Sequence, residues 1–482
     1  MTKTNSGSIQ RVAVIGGGVT GLAAAHRLTE LNPALSLTLF ESGDRLGGVV
    51  QSLERDGYLI ERAADMFITK EPWAVDLCRR IGFEDQLVET NEEMRRAFVV
   101  RRGKLQPVPD GFTLMTPVKI WPVVSTPILS PLGKLRLAYE FFVPPKRDNV
   151  DESLDSFATR RMGREAYERL VQPLISSIYT ADPKKLSMRA SMPQFFGMEQ
   201  KHGSLARGMR RLAKARRSDA QGTGARYGLF VSARHGLGTL VDAIAARLPA
   251  GSVRLKCSIQ ELAAHVEGGW DLLPEGAEQP ERFDAVIVAT PASRAASLLA
   301  RVDEPLSSSL RDVPYAGTVI LAAGFRRDQF SHPLDGFGYV VPIIEKRRVL
   351  SVSFSSVKFS GRAPEDCVLL RVFVGGACQA ELLDLDDHAL QQLVEEELQE
   401  VLGLRGKPQF FEPFRWPDAM PQYHVGHLQR TEEIEQRAAA LPNFALAGNA
   451  YHGVGIPFCI HSGEQAAERI CGDLGTAPYR RS

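Results

Sequence analysis

The stretch "RVAVIGGGVTGLAAAHRLTELNPALSLTLFESGDRLGG", Arg11 to Gly48, decides the fold. Its first residues, "RVAVIG", form a short β-branched run suited to a buried parallel strand. "VTGLAAAHRLTEL" comes next, with Leu22, Ala25, His26 and Leu28 at helical spacing. Between them Gly16, Gly18 and Gly21 complete a G-x-G-x-x-G turn. The first glycine permits the tight turn, the second lets backbone approach a pyrophosphate, and the third lets helix pack on strand. The pyrophosphate then sits at the positive end of a helix. "LSLTLFE" reads as a second strand that ends in Glu41, an acid placed to accept hydrogen bonds from a ribose and unsuited to NADP.

The rest of the chain is ordinary for a globular protein. It has 482 residues, 44% hydrophobic and 24% charged, with 58 basic and 57 acidic side chains. That length implies two or three domains. A net charge of +1 offers no clustered basic footprint for nucleic acid. The six cysteines are scattered, with no C-x-x-C and no zinc spacing, and read as reduced thiols; no metal site is expected. The N-terminus "MTKTNSGSIQ" lacks the apolar core of a secretion signal, and no stretch approaches the roughly 18 uninterrupted apolar residues of a membrane span. The expected location is the cytoplasm.

The residues just after Glu41 separate FAD from NAD. "ESGDRLGG" adds Arg45, Gly47 and Gly48, a second close approach of backbone to cofactor. Here the chain resembles the FAD-containing amine oxidase and porphyrinogen oxidase superfamily, whose fingerprint continues as E-x-x-x-R-x-G-G. Such chains return to the cofactor domain late. "LPNFALAGNAYHGVGIPFCIHSGEQAAERI" reads as a strand ending at Gly448, a glycine turn, and a helix from about Ile460 to Ile470. Its start, near Gly455, Ile456 and Pro457, can aim N–H groups at the flavin pyrimidine edge. "RFDAVIVATPAS" reads as a further strand, Ala285 to Ala289. The resemblance implies cofactor contacts at Gly16, Gly17, Gly18, Val19, Thr20, Gly21, Glu41, Ser42, Arg45, Gly47, Gly48, Ala63, Ala64, Ile259, Trp416, Gly448, Gly455, Ile456 and Pro457.

The middle of the chain narrows the family. "DESLDSFATRRMGREAYERLVQPLISSIYTADPKKLSMRASMPQFFGMEQKHGSL", "GFGYVVP", "FSSVKFSGRAPEDCVLLRVFVGG" and "RWPDAMPQYHVGH" resemble the oxygen-dependent porphyrinogen oxidases from Arg11 to about Ile470. "EQKHGSL" and "MPQYHVGH" lean to the Gram-positive-type branch, which makes coproporphyrin III; the mitochondrial and plastid branch makes protoporphyrin IX. The resemblance implies FAD, a porphyrinogen substrate, molecular oxygen as acceptor and hydrogen peroxide as product. Flavin N5 takes the hydride, so no catalytic side chain is expected.

Two departures stand out. In "YLIERAADMF", Ala63 and Ala64 replace the usual Gly-Pro, and Asp65 stands where the protoporphyrinogen branch has an arginine thought to pair with a propionate. Substrate carboxylates then need other cations, with Lys70, Arg95, Arg96, Lys184, Lys185 and Arg189 as candidates. Phe458 replaces an aspartate in G-x-P-D-C, so that turn needs other contacts. Expected slot walls are Phe337, Tyr339, Val341 and Phe354.

Thr116 to Arg147 mixes Ile120, Trp121, Phe141 and Phe142 with several cations, the composition of an interfacial patch or of a cap over the site. A peripheral contact with the cytoplasmic membrane face and hand-over to a ferrochelatase-type enzyme are the corresponding expectations. Ala213 to Gly228 reads as a basic surface loop. The alternatives are an amine oxidase or carotenoid-desaturase relative, or a non-catalytic flavin binder. The expected fold is α/β: a Rossmann-like FAD domain in three pieces (1–94, 211–300, 431–482), a helical lobe (95–210) and a mixed-sheet substrate domain (301–430).

Overall fold

The five strands of the nucleotide-type sheet come from widely separated parts of the chain. In the computed structural model, which describes residues 10–117, 119–148, 150–219 and 228–475, the order is Val253–Arg254, Ser36–Phe40, Arg11–Ile15, Ala285–Val288 and Phe444–Leu446. All neighbours are parallel. A parallel sheet must be covered on both faces. Helices Val19–Leu31 and Ile456–Asp473 cover one, joined to the sheet through Val12, Val14, Leu22 and Ile460. A meander of Ile259–Ala264, Trp270–Pro274 and Glu281–Phe283, with helices Ala292–Leu299 and Glu304–Arg311, covers the other through Ala13, Ile15, Phe40 and the fully buried Trp270.

The two covering helices touch at small residues. A side chain at Gly463 would lie 3.0 Å from Ala24 N and closer still to the Thr20 carbonyl. The last helix starts at Ile456, earlier than the Ile460 expected from its apolar spacing. Pro457 explains the shift, because proline is favoured in a first helical turn.

The second sheet has seven strands, in the order Phe410–Pro421, Tyr315–Arg326, Cys367–Gly375, Ser351–Phe354, Gly338–Val340, Ala97–Arg101 and Lys104–Pro107. It is mixed: Gly338–Val340 runs parallel to Ala97–Arg101, and the other pairs are antiparallel. Ala97–Arg101 and Lys104–Pro107 therefore belong to this sheet rather than to a helical lobe beginning at 95. Helix Asp387–Leu402 seals one face, begun by the Asp386 side chain accepting from Ala389 N at 2.8 Å and ended by Gly403 at φ +66°.

Helices from Trp121 to Asp219 build the lobe around Phe157, Leu170, Ile175 and Met188. Helix Leu205–Asp219 extends into the stretch read as a basic loop. The remainder of that stretch, 220–227, lies outside the described residues.

Candidate functional site

The glycine turn is built to hold something. Gly16 has φ +106°, and a side chain there would press on the Ala289 carbonyl oxygen at 2.6 Å. One at Gly21 would collide with the Gly16 carbonyl. These two positions are closed by the protein itself. Gly18 is different: a side chain there would meet nothing within 4 Å, and one at Gly48 would meet only Gly18 Cα, at 3.3 Å. Gly18 and Gly47 bridge, and Gly47 N donates to the Gly17 carbonyl at 2.8 Å. Two glycine backbones thus form an open cradle at the end of strand Arg11–Ile15.

That cradle suits a diphosphate. Gly18 caps helix Val19–Leu31 without a side-chain hydrogen bond, and the first turn, with Val19 and Thr20 buried, holds no acid. Gly455 caps helix Ile456–Asp473 in the same bare way. Two uncapped helix N-termini offer N–H groups and positive dipole ends to an anion. Glu41 succeeds strand Ser36–Phe40, where it accepts from Gly17 N at 2.7 Å and Gly43 N at 2.6 Å and lies 3.3 Å from Ser42 Oγ. Arg45 donates to the Leu46 and Gly48 carbonyls at 3.0 and 2.7 Å, pinning the second glycine pair.

The late segment returns to the same place. Gly448, at φ +145°, donates to Ser462 Oγ at 3.0 Å, and Gly453 N donates to Tyr423 Oη at 2.7 Å. Those contacts hold the turn that an aspartate would otherwise support. Phe458 instead packs edge-on against Trp73 at 5.4 Å, while His461 stacks on that indole at 3.9 Å. Trp416 Nε1 donates to the Arg62 carbonyl at 2.9 Å. Ala64 packs against the core of the parallel sheet. Ile259 is buried in the core that contains Phe40, on the far side of that sheet.

A strand of the seven-stranded sheet reaches the Ala63–Asp65 segment. The Asp65 carboxylate lies 2.7 Å from Lys358 Nζ and 3.1 Å from an Arg371 guanidinium nitrogen. Arg371 also donates to the Ala63 carbonyl. Burial alone would raise the Asp65 carboxyl, but Lys358 and Arg371 overcome it and hold it down at about 2. Asp65 is thus an anchor for two almost fully buried cations, Arg371 on strand Cys367–Gly375 and Lys358 at the end of the short helix Ser355–Lys358. Neither was among the candidates read from the sequence, although a lone arginine inside the apolar run "CVLLRVFVG" was a visible signal.

The nominated cations lie elsewhere. Lys70 is exposed beside Glu71 at 3.4 Å, Arg95 lies 3.7 Å from Glu92, and Arg96 pairs with Asp335 at 3.1 Å. Lys184 and Lys185 are exposed, and the Arg189 guanidinium lies 5.2 Å over the Phe196 ring. His427 Nε2 meets the Tyr451 carbonyl oxygen at 2.9 Å, its ring stacks on Tyr423, and burial lowers its pKa to about 4.

The expected slot walls need correcting. Successive side chains on a strand face opposite ways. Tyr339 and Phe354 point into the core sealed by helix Asp387–Leu402, whereas Val341 belongs to that core and also borders a cavity described below. Tyr339 Oη, moreover, donates to the buried Glu397 of that helix at 3.2 Å. Phe337 shares their parity but is only half-buried. The opposite parity carries Val340, which packs toward the helical lobe, and Arg371, which reaches the cofactor segment. On strand Cys367–Gly375, Phe373 has the parity of Arg371.

Comparison with known proteins bears on family and fold. Residues 19–471 match the family described as flavin containing amine oxidoreductase. The chain is 36% identical over 462 residues to the coproporphyrinogen III oxidase of Bacillus subtilis, covering 95% of this chain and 97% of that one. It is 30% identical to the chloroplastic protoporphyrinogen oxidase of Nicotiana tabacum, covering 97% and 86% respectively. A crystal structure from Exiguobacterium sp. 255-15 superposes with a TM-score of 0.85 at 31% identity, covering 97% of this chain and 99% of that one.

Proposed function

The chain belongs to the flavin-containing amine oxidoreductase family, and from that premise we propose that it oxidises a porphyrinogen to the porphyrin, with coproporphyrinogen III as the preferred substrate. The observation that carries the flavin half is the open Gly18–Gly48 cradle between Glu41 and two uncapped helix ends. The substrate half is supported by full-length similarity to coproporphyrinogen III oxidases.

The cofactor is FAD. Gly17, Gly18, Gly47 and Gly48 would hold its diphosphate, Glu41 a ribose, and the Gly455–Pro457 turn the flavin end. The chemistry FAD supplies when bound is two-electron oxidation; three rounds remove the six electrons and six protons that separate a porphyrinogen from its porphyrin. With molecular oxygen as the acceptor we propose, the balance is one porphyrinogen and three oxygen molecules to one porphyrin and three hydrogen peroxide molecules. The protein contributes fixation and shielding. Trp416 and Arg371 clamp the Arg62–Asp65 segment between the sheets, so the face that receives a flat substrate is set by rigid strands. The uncapped N-terminus of helix Ile456–Asp473 favours the negative charge that accompanies reduction.

Porphyrins are flat and poorly soluble, which favours their delivery at a surface. Trp121, Leu132 and Phe142 are 80%, 78% and 72% exposed on the helical lobe. No helix among the described residues is long and apolar enough to cross a membrane. We propose a cytoplasmic protein whose exposed patch rests on the membrane face, with release of product to a subsequent metal-insertion enzyme. Flotation with anionic vesicles tests the contact: Trp121→Ser with Phe142→Ser should abolish co-flotation.

The test of the function is spectroscopic. Anaerobic addition of coproporphyrinogen III to the yellow protein should bleach the flavin band, and air should restore it. A band that stays unchanged over turnover times rules the proposal out.

A further inference from the structure

Between the C-terminal end of helix Gln172–Tyr179 and the end of strand Cys367–Gly375 lies a cavity of about 100 Å³, lined in part by Thr180, Gly375, Cys378 and Gln379. That volume admits several water-sized groups. Two of its polar atoms, Thr180 Oγ1 and Gln379 Oε1, are buried without a hydrogen-bond partner among the described residues. Such atoms are unfavourable unless something completes them.

The backbone around them is constrained as well. Thr180 has φ +48°, an outlier for a β-branched residue, and residues so strained gather at ligand sites. It is held in place: its carbonyl accepts from Ala377 N at 2.8 Å, and a side chain at Gly376 would press on that oxygen at 2.9 Å. The helix that Thr180 ends is preceded by a π-helical turn, Tyr167–Val171, a feature that recurs at functional sites.

Position ties this cavity to the reaction. On strand Cys367–Gly375, Arg371 reaches Ala63 and Asp65 of the cofactor segment, whereas Gly375 borders the cavity. The two residues share a face and lie about 13 Å apart along an extended strand. A macrocycle with one edge at the flavin can thus extend a peripheral arm into the cavity. Cys378 lines the cavity, and the exposed Lys184 and Lys185, with Asp182 among them, lie within electrostatic reach of its thiol. Arg347 also lines the cavity, but Glu397 and Glu400 engage it at 2.7 and 2.6 Å.

We propose that this cavity receives one carboxyethyl arm of the macrocycle, and that Thr180 and Gln379 set the preference for a tetracarboxylate over a dicarboxylate porphyrinogen. The proposal rests on the porphyrinogen oxidase reading above. The Thr180 hydroxyl donates to the arm's carboxylate. Gln379 Oε1 accepts from a water that the carboxylate carries in, and Lys184 and Lys185 balance the charge. A vinyl arm in the same place leaves both polar atoms unpaired. A site built on hydrogen bonds rejects an arm that lacks them far more strongly than an apolar wall discriminates by size.

The experiment compares kcat/KM for coproporphyrinogen III and protoporphyrinogen IX in the wild type, Thr180→Val, Thr180→Ser and Gln379→Leu, with the flavin spectrum recorded for each. The tetracarboxylate preference should fall at least tenfold in Thr180→Val and Gln379→Leu, through KM for the tetracarboxylate, and should return in Thr180→Ser. An unchanged preference in yellow, folded variants overturns the role of the cavity and leaves the oxidase reading standing. A wild type that oxidises neither porphyrinogen overturns that reading, and the role of the cavity with it. Should the two interior variants fail to fold, the surface double variant Lys184→Gln/Lys185→Gln decides the matter: a raised KM for the tetracarboxylate alone supports the proposal, and no change overturns it.

Discussion

The cradle at Gly16–Gly48 and the face of the seven-stranded sheet that holds Arg62–Asp65 work by opposite means. In the cradle nearly every contact offered to the ligand is backbone, and side chains are excluded by position: Gly16 and Gly21 by the protein's own carbonyls, Gly18 and Gly48 by the space a ligand needs. Across the gap, side chains do the work. Arg371, Lys358 and Asp65 form a buried charged cluster, and its strength depends on every member being present. The first site tolerates no added atoms; the second tolerates no lost ones.

The sharpest way to break that contrast is at Gly18. Gly18→Val adds atoms into empty space, so the protein should fold with an unchanged circular dichroism spectrum yet purify colourless, with FAD affinity reduced by at least two orders of magnitude. Gly21→Val should differ, because its side chain strikes the Gly16 carbonyl: there the soluble yield itself should collapse. If Gly18→Val binds FAD normally, the cradle has been misassigned.

The charged cluster predicts the next largest effect. Arg371→Leu removes one of the cations bonded to the buried Asp65 carboxylate while Lys358 stays at 2.7 Å, and the loss should be about 1.5–3 kcal/mol, measurable by urea unfolding. Asp65→Asn leaves both buried cations without their carboxylate, so it should lose at least as much at neutral pH, and it should change the pH profile. The Asp65 carboxyl is held at about 2, below its ordinary 3.8. A depressed carboxyl gives stability that is present above the unfolded pKa and lost as pH falls toward the folded one. The wild type should therefore lose on the order of 2 kcal/mol more than Asp65→Asn between pH 4 and pH 2. Parallel acid profiles would show that Lys358 and Arg371 do not hold the Asp65 carboxylate in its charged form.

The smallest effect tests the corrected wall. Tyr339→Phe removes a hydrogen bond to buried Glu397 and should cost about 1 kcal/mol of stability. Because that hydroxyl faces helix Asp387–Leu402, KM for the porphyrinogen should not move. Phe373→Ala, on the opposite parity, should raise KM several-fold. The reverse pattern would return Tyr339 to the slot.

The same contrast explains what could be read from sequence. The glycine turn was legible because its requirements are local: a turn needs glycine at fixed offsets, and the expected ribose acid follows the end of the next strand. The sheet face was not, because strand parity is fixed by distant partners. In "GFGYVVP" the conspicuous aromatics are Phe337 and Tyr339, but pairing with Ser351–Phe354 and Ala97–Arg101 turns Tyr339 under a helix and leaves Val340 on the other side. The Asp65 substitution was visible, but its partners, Lys358 and Arg371, lie some 300 residues away in the chain. The π-helical turn before Gln172 and the left-handed Thr180 leave no mark in composition or periodicity.

Stoichiometry tests the central claim most directly. Coproporphyrinogen III, prepared anaerobically, is mixed in air with the purified yellow protein, and porphyrin fluorescence and hydrogen peroxide are monitored together against an enzyme-free control. A porphyrinogen oxidase should form porphyrin well above the control, with three peroxide molecules for each porphyrin. Porphyrin formation no faster than the control, with FAD fully bound, would contradict that assignment.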